Sequence, residues 1–182
     1  MKKIIIAIDS FKGCLTSAEA GKAAEKGIKS INPSCHTSVI PIADGGEGLL
    51  DVLITATKGK YITLSAHGPL MKMAKTHYGL SGNGRTAIIE MAAISGLPLV
   101  PIEQRNPMLT TTFGTGELIK DALNKGCRNF IIGIGGSATN DAGLGMLQAL
   151  GFRFLDKSGH TLGTGGQIRE AVANIDTSGI HP

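Results

Sequence analysis

Asn129-Phe-Ile-Ile-Gly-Ile-Gly-Gly-Ser-Ala-Thr-Asn-Asp-Ala-Gly-Leu-Gly145 is the stretch whose reading decides the fold. Its apolar run, Phe130 to Ile134, has the composition of a strand buried on both faces. The run breaks at Gly135-Gly136, offers Ser137, Thr139, Asn140 and Asp141, and resumes as a helix with Met146, Leu147 and Leu150 on one face. A strand, a glycine turn and a helix start make a natural anion site. Glycine lets a ligand approach the backbone, and N–H groups at the helix start point toward it. The same residues equally suit a plain capping turn, with a Ser, Thr or Asn side chain closing the helix start.

Upstream, the pattern repeats. Lys2 to Asp9 reads as a buried strand, followed by the loop Ser10-Phe11-Lys12-Gly13. Thr16 and Glu19 have the spacing of a capping box, and Ala20, Ala24, Ile28 and Ile31 continue a helix that Asn32-Pro33 stops. Thr37 to Ile42 is a second strand, ending in Ala43-Asp44-Gly45-Gly46-Glu47-Gly48. A second helix carries Leu49, Leu50, Leu53 and Ile54, with Gly59 as its expected C-cap. This βαβα order predicts a parallel sheet.

Tyr61 to Ala66 reads as a third strand. Lys75 to Leu80 and Arg85 to Met91, around Ser81-Gly82-Asn83-Gly84, read as a β-hairpin that interrupts the alternation. The prolines at 98, 101 and 107 punctuate a connection. Thr110 to Gly116 leads into a helix burying Leu118, Ile119, Ala122 and Leu123, which Gly126 ends. Phe152 to Leu155 is a further strand, and the tail from Gln167 has rough helical spacing. The expected class is α/β: a Rossmann-like or flavodoxin-like parallel sheet with helices on both faces, plus a second, smaller α/β lobe. The corresponding division is 1–66, 67–106 with the hairpin, and 107–182.

Composition narrows the function. The 182 residues are 42% hydrophobic and 18% charged, the balance of a globular chain with a sizeable core. The net charge of +4 is spread along the chain, with two Tyr, five Phe and no Trp. No basic run exists, which argues against nucleic acid as a partner, while a mildly basic chain suits a small anionic substrate. Cys14, Cys35 and Cys127 are odd in number and far apart, as reduced thiols in the cytoplasm are. The run Ile4 to Ile8 is too short for a signal peptide or a membrane span, and no later stretch spans a bilayer.

Three loops share one grammar: Asp9 to Gly13, Asp44 to Gly48, and Gly135 to Asp141. Each follows the carboxyl end of an expected strand, the edge where ligands bind in open α/β sheets. Carboxylates, a lysine and glycine N–H groups gathered there suit a phosphorylated ligand and Mg²⁺. Each residue also has a local role open to it. Asp9 and Asp44 can close Asx-turns, Glu47 and Asp141 can complement a helix dipole, and Lys12 can be a solvated charge. Familiar nucleotide motifs are absent. There is no P-loop, and Ala138 stands where a dinucleotide fingerprint beginning at Gly133 needs glycine. The five histidines lack zinc spacing, and no Gly-x-Ser-x-Gly elbow points to a hydrolase.

Five blocks together resemble the bacterial glycerate kinases of the type-1 group. They are Asp9 to Gly13, Ala43 to Gly48, Glu90-Met-Ala-Ala93 with Ser95-Gly-Leu97, Thr111 to Ile119, and Ile134 to Asp141. Their order and spacing match across nearly the whole chain. The resemblance implies ATP- and Mg²⁺-dependent phosphorylation of D-glycerate, to 2-phosphoglycerate or 3-phosphoglycerate, in the cleft of a two-domain α/β protein. It also implies a longer protein, since the family continues past the segment matched by Ser178 to Pro182. Cys14 and Ala142 stand where a Ser or Gly is expected.

The site expected on these grounds uses Lys12 and the Gly135-Gly136-Ser137 backbone for phosphates. Asp44 and Asp141 hold Mg²⁺ or accept the substrate hydroxyl proton. Thr115 and Gly116, at a helix start, bind the glycerate carboxylate or a phosphate. Asp9, Ser10, Gly45, Gly46, Glu47, Thr139 and Asn140 complete the lining. Two rivals stay open: a non-catalytic nucleotide- or organic-acid-binding module, and a kinase of another small hydroxy acid.

Overall fold

The computed structural model describes residues 3–11 and 13–182. β1 (Lys3–Ile8) and β2 (His36–Pro41) form a parallel pair, Lys3 opposite His36 through Ile8 opposite Pro41. α1 (Ser17–Ile31) connects them and begins with the expected capping box. Thr16 accepts from the Glu19 N–H, and Glu19 accepts from the Thr16 N–H. Ser17 ties the helix to both strand ends: its hydroxyl donates to Ile8 O at 2.6 Å and accepts from Ile42 N–H at 3.1 Å. The helix buries Ser17, Ala20 and Gly21, whereas Ile31 is 88% exposed.

α2 (Leu49–Thr57) leads to a four-stranded sheet in the order β3 (Lys60–His67), β4 (Met73–Leu80), β5 (Thr86–Glu90), β6 (Asn129–Gly133). The first two pairings are antiparallel and the last is parallel. The hairpin therefore does not stand apart. β4 and β5 are the middle of a mixed sheet that also takes β3 and β6. The residue that closes α2 in left-handed geometry is Lys58 (φ 53°), not Gly59.

Helices lie on both faces of this sheet. Successive residues of a strand point to opposite sides. Ile88 packs with Leu50 and Ile54 of α2, while Ile89 packs with Leu118, Ile119 and Ala122 of α4 (Phe113–Asn124). The strand buried on both faces is thus β5, with Ala87, Ile88 and Ile89 at 0–1% exposure. β6 reads as one in sequence but sits at the sheet edge, leaving Ile131 43% and Ile132 36% exposed. Periodicity reports that a strand is apolar; its place in the sheet order decides what covers it.

α3 (Ala92–Ser95) follows β5, and α5 (Leu144–Ala149) packs on α4. β7 (Arg153–Leu155) pairs antiparallel with β8 (Asn174–Asp176). The tail expected to be helical is a 3₁₀ turn over Gly166–Ala171 followed by that strand. Among the described residues no helix is long and apolar enough to cross a membrane.

Candidate active site

Two of the glycine loops meet. The loop after β2, Asp44 to Gly48, lies against the loop after β6, and Gly135 N–H donates to Gly45 O at 3.3 Å. A Cβ on Gly135 would stand 2.7 Å from Gly46 Cα, and one on Gly133 would stand 2.6 Å from Gly45 O. Neither distance is tolerated by real side chains, so glycine at these two positions is what lets the backbones touch. An open cleft of about 790 Å³ lies here, lined by Asp44, Gly45, Gly46, Glu47, Gly135 and Gly136 among others. Asp44 is exposed at its edge, and its Oδ1 accepts the Gly46 N–H at 3.2 Å.

The first loop borders a neighbouring cavity of about 420 Å³. Asp9 Oδ1 accepts the Ser10 N–H at 2.7 Å, a local turn contact. Ser10 Oγ is buried on the wall of that cavity, without a hydrogen-bond partner among the described residues. Lys12 lies outside the described residues. Glu47, His77 and Glu90 line both spaces and so form the partition between them.

Glu90 is the functional candidate to which sequence reading gave no role. It ends β5, and its Oε1 accepts the Leu50 N–H at 2.7 Å across forty positions of sequence. Burial pushes its carboxyl above the ordinary range, against the lowering effect of the Leu50 and Gly48 backbone donors. The signal was present: Glu90 closes an apolar run as Asp9 closes its own, but it precedes no glycine loop.

The third loop borders a separate space of about 440 Å³, which shares the Ile132 and Ile134 wall with the large cleft. Asp141, at 1% exposure, lies in its floor. It accepts from Thr112 N–H at 2.8 Å, from the hydroxyls of Thr111 and Thr112, and from the N–H groups of Gly143 and Gly145. One carboxylate thereby satisfies the amino-terminal turns of α4 and α5 together. Thr115 is equally buried, its hydroxyl 2.8 Å from Ser95 Oγ. Gly116 sits under Met146 and Ala149, where a Cβ would meet backbone and side chain of α5. Ser137 and Thr139 hydroxyls are 2.7 Å apart, and Asn140 is exposed beside them.

The structure therefore gathers Asp44, Gly45, Gly46, Glu47, Gly135 and Gly136 in one cleft and sets Asp9 and Ser10 in the adjoining cavity. Asp141, Thr115, Ser137, Thr139 and Asn140 lie around a third. Among the described residues no group of three or more His, Cys, Asp or Glu could hold a metal ion. Mg²⁺ in phosphoryl-transfer sites is commonly held by one or two carboxylates together with substrate phosphates. By position Asp44 and Glu47 suit such a role. The oxygens of Asp141 already face five protein donors.

Residues 4–182 match the model of a family described as the glycerate kinase family. The chain is 54% identical over 178 residues to a glycerate kinase of Bacillus subtilis, covering 98% of this chain and 47% of that protein. It is 49% identical over 180 residues to a glycerate 2-kinase of Escherichia coli, covering 99% and 47%. A crystal structure of a Salmonella typhimurium LT2 protein assigned as glycerate kinase 2 superposes with a TM-score of 0.86 at 49% identity. It is matched over 98% of this chain and 48% of its own. The chain spans about half the length of the curated relatives it matches.

Proposed function

This chain belongs to the glycerate kinase family, and we propose that it supplies one wall of the active site of an enzyme that phosphorylates D-glycerate with Mg-ATP in the cytoplasm. The observation that carries the reading is the meeting of two glycine loops, each at the carboxyl end of a parallel strand, over a cleft edged by Asp44 and Glu47. Phosphoryl transfer asks little covalent chemistry of a protein; it asks for reactants held in line and for charge to be met. The Gly45–Gly135 contact fixes the two loops relative to each other. Asp44 and Glu47 place negative charge at the cleft edge, to hold the metal or to accept the substrate hydroxyl proton. Mg²⁺, when bound, neutralises phosphate oxygens and orients them. Lys12 and the Gly136-Ser137 backbone are assigned to phosphates. For Asp141 its five donors favour holding the loop in place, and for Gly116 the packing against α5 favours a structural role.

The test is a coupled assay of ADP release, with D-glycerate beside a panel of other small hydroxy acids. It is run on residues 1–182 and on the protein at the full length of its relatives. The expected result is glycerate-dependent release from the longer form and little from residues 1–182, whose exposed Ile131, Ile132 and Ile134 leave the cleft open to water. Release with another acid and none with glycerate would reassign the substrate.

A further inference from the structure

Glu90 lies on the sheet face that α2 covers, the face of Ile88. Gly48, the residue before α2, has left-handed geometry (φ 92°) and no side chain to accept from the first turn. A helix start left without an acceptor is costly, and here the acceptor arrives from another strand: Glu90 Oε1 takes the Leu50 N–H. The adjacent strand braces the same point. Glu90 is in register with Gly133, whose missing Cβ makes room for Gly45 O and for Leu49 Cδ2. Met91 N–H donates to Gly133 O at 2.9 Å, locking the two strand ends together. Two neighbouring strand ends thus grip one loop, and the side chain that does so stands in the partition between the two cavities.

We propose that Glu90 is a positioning residue: by capping α2 from β5 it holds the Asp44–Gly48 loop against the Gly133–Gly136 loop in the geometry the reaction uses. The kinetic part rests on the function proposed above; the structural part does not. What the role demands is reach and an acceptor oxygen. Gln keeps both and removes the charge. Asp keeps the charge and is one methylene short. A carboxylate that held a metal or moved a proton would tolerate Asp better than Gln, whereas a cap tolerates Gln better than Asp.

The experiment compares E90Q, E90D and E90A. Amide exchange at Leu50 and Gly135 is followed by NMR in the 182-residue chain, and ADP release is measured at the relatives' full length. Exchange at Leu50 is expected to rise about tenfold or more in E90D and E90A and to stay within about threefold of wild type in E90Q. In E90D kcat is expected to fall about tenfold or more while KM for glycerate changes less than about threefold, with E90Q recovering most of the loss. Leu50 exchanging as slowly in E90D and E90A as in wild type overturns the proposal, whatever the activity. E90Q slower in turnover than E90D assigns the charge instead of the reach, and overturns it too. Exchange needs no substrate, so a wild type inactive on glycerate removes the proposed activity while Leu50 still decides the clamp.

Discussion

Asp141 and Thr112, twenty-nine residues apart, are joined twice: the Thr112 N–H donates to Asp141 Oδ2 at 2.8 Å and the Thr112 hydroxyl donates to the same oxygen at 2.9 Å. The Met146 N–H in turn donates to Thr112 Oγ1 at 2.9 Å, so the pair links the starts of α4 and α5. A buried carboxylate with this many donors is part of the frame. D141A leaves several buried N–H and O–H groups without an acceptor and is expected to cost about 3 kcal/mol or more. D141N, which keeps one acceptor oxygen, should cost less. Urea denaturation checks both, and a D141A variant within about 1 kcal/mol of wild type would contradict the framing role.

Asp44 is the contrasting case. It is exposed, and its Oδ1 accepts the Gly46 N–H in a local turn. Asn retains most of that acceptor ability, so D44N is expected to change stability by less than about 1 kcal/mol. If the carboxylate serves the reaction, turnover falls by about a hundredfold or more. Parallel measurements of glycerate-dependent ADP release and of thermal unfolding separate the two. Near-wild-type turnover in D44N returns Asp44 to the turn.

Gly133 tests the contact between the loops. G133A places a methyl group 2.6 Å from Gly45 O and 2.7 Å from Leu49 Cδ2. Backbone cannot yield as a flexible side chain does, so the variant is expected to lose about 1–3 kcal/mol and to move the Asp44–Gly48 loop. Chemical-shift changes centred on Gly45 to Leu50 are the direct readout. Unchanged shifts there would mean that the loops are not in contact in solution.

Glu90 gives a pH dependence whose sign follows from burial. Its folded-state pKa is raised above the ordinary 4.5, mainly because burial penalises the charged form. The contribution of a raised acid to stability is present below its unfolded value and is lost as pH rises through its folded value. E90Q cannot ionise. Its stability relative to wild type is therefore expected to grow as pH rises from about 4.5, levelling off once wild-type Glu90 is charged. A series of unfolding curves from pH 4 upward measures the difference. A gap that shrinks over the same range would show that the Leu50 and Gly48 donors outweigh burial.

The amino-acid sequence by itself determined the local elements and their order. The capping box of Thr16 and Glu19, the loop after β2 and the hairpin turn at Ser81 to Gly84 each depend on residues a few positions apart, and each formed where local chemistry put it. The five motif blocks also carried the family, because their order and spacing are properties of the chain alone. Tertiary structure decided what no local pattern encodes. It put β5, read as one strand of a hairpin, in the sheet interior and β6, read as the strand buried on both faces, at its edge, since burial depends on which strands lie alongside. It also separated carboxylates that look alike in sequence. Asp44 stayed exposed at a cleft, Asp141 became the shared acceptor for two helices, and Glu90 reached across the fold to cap a third. A carboxylate's task is set by which donors surround it, and those donors come from segments twenty-nine and forty residues away.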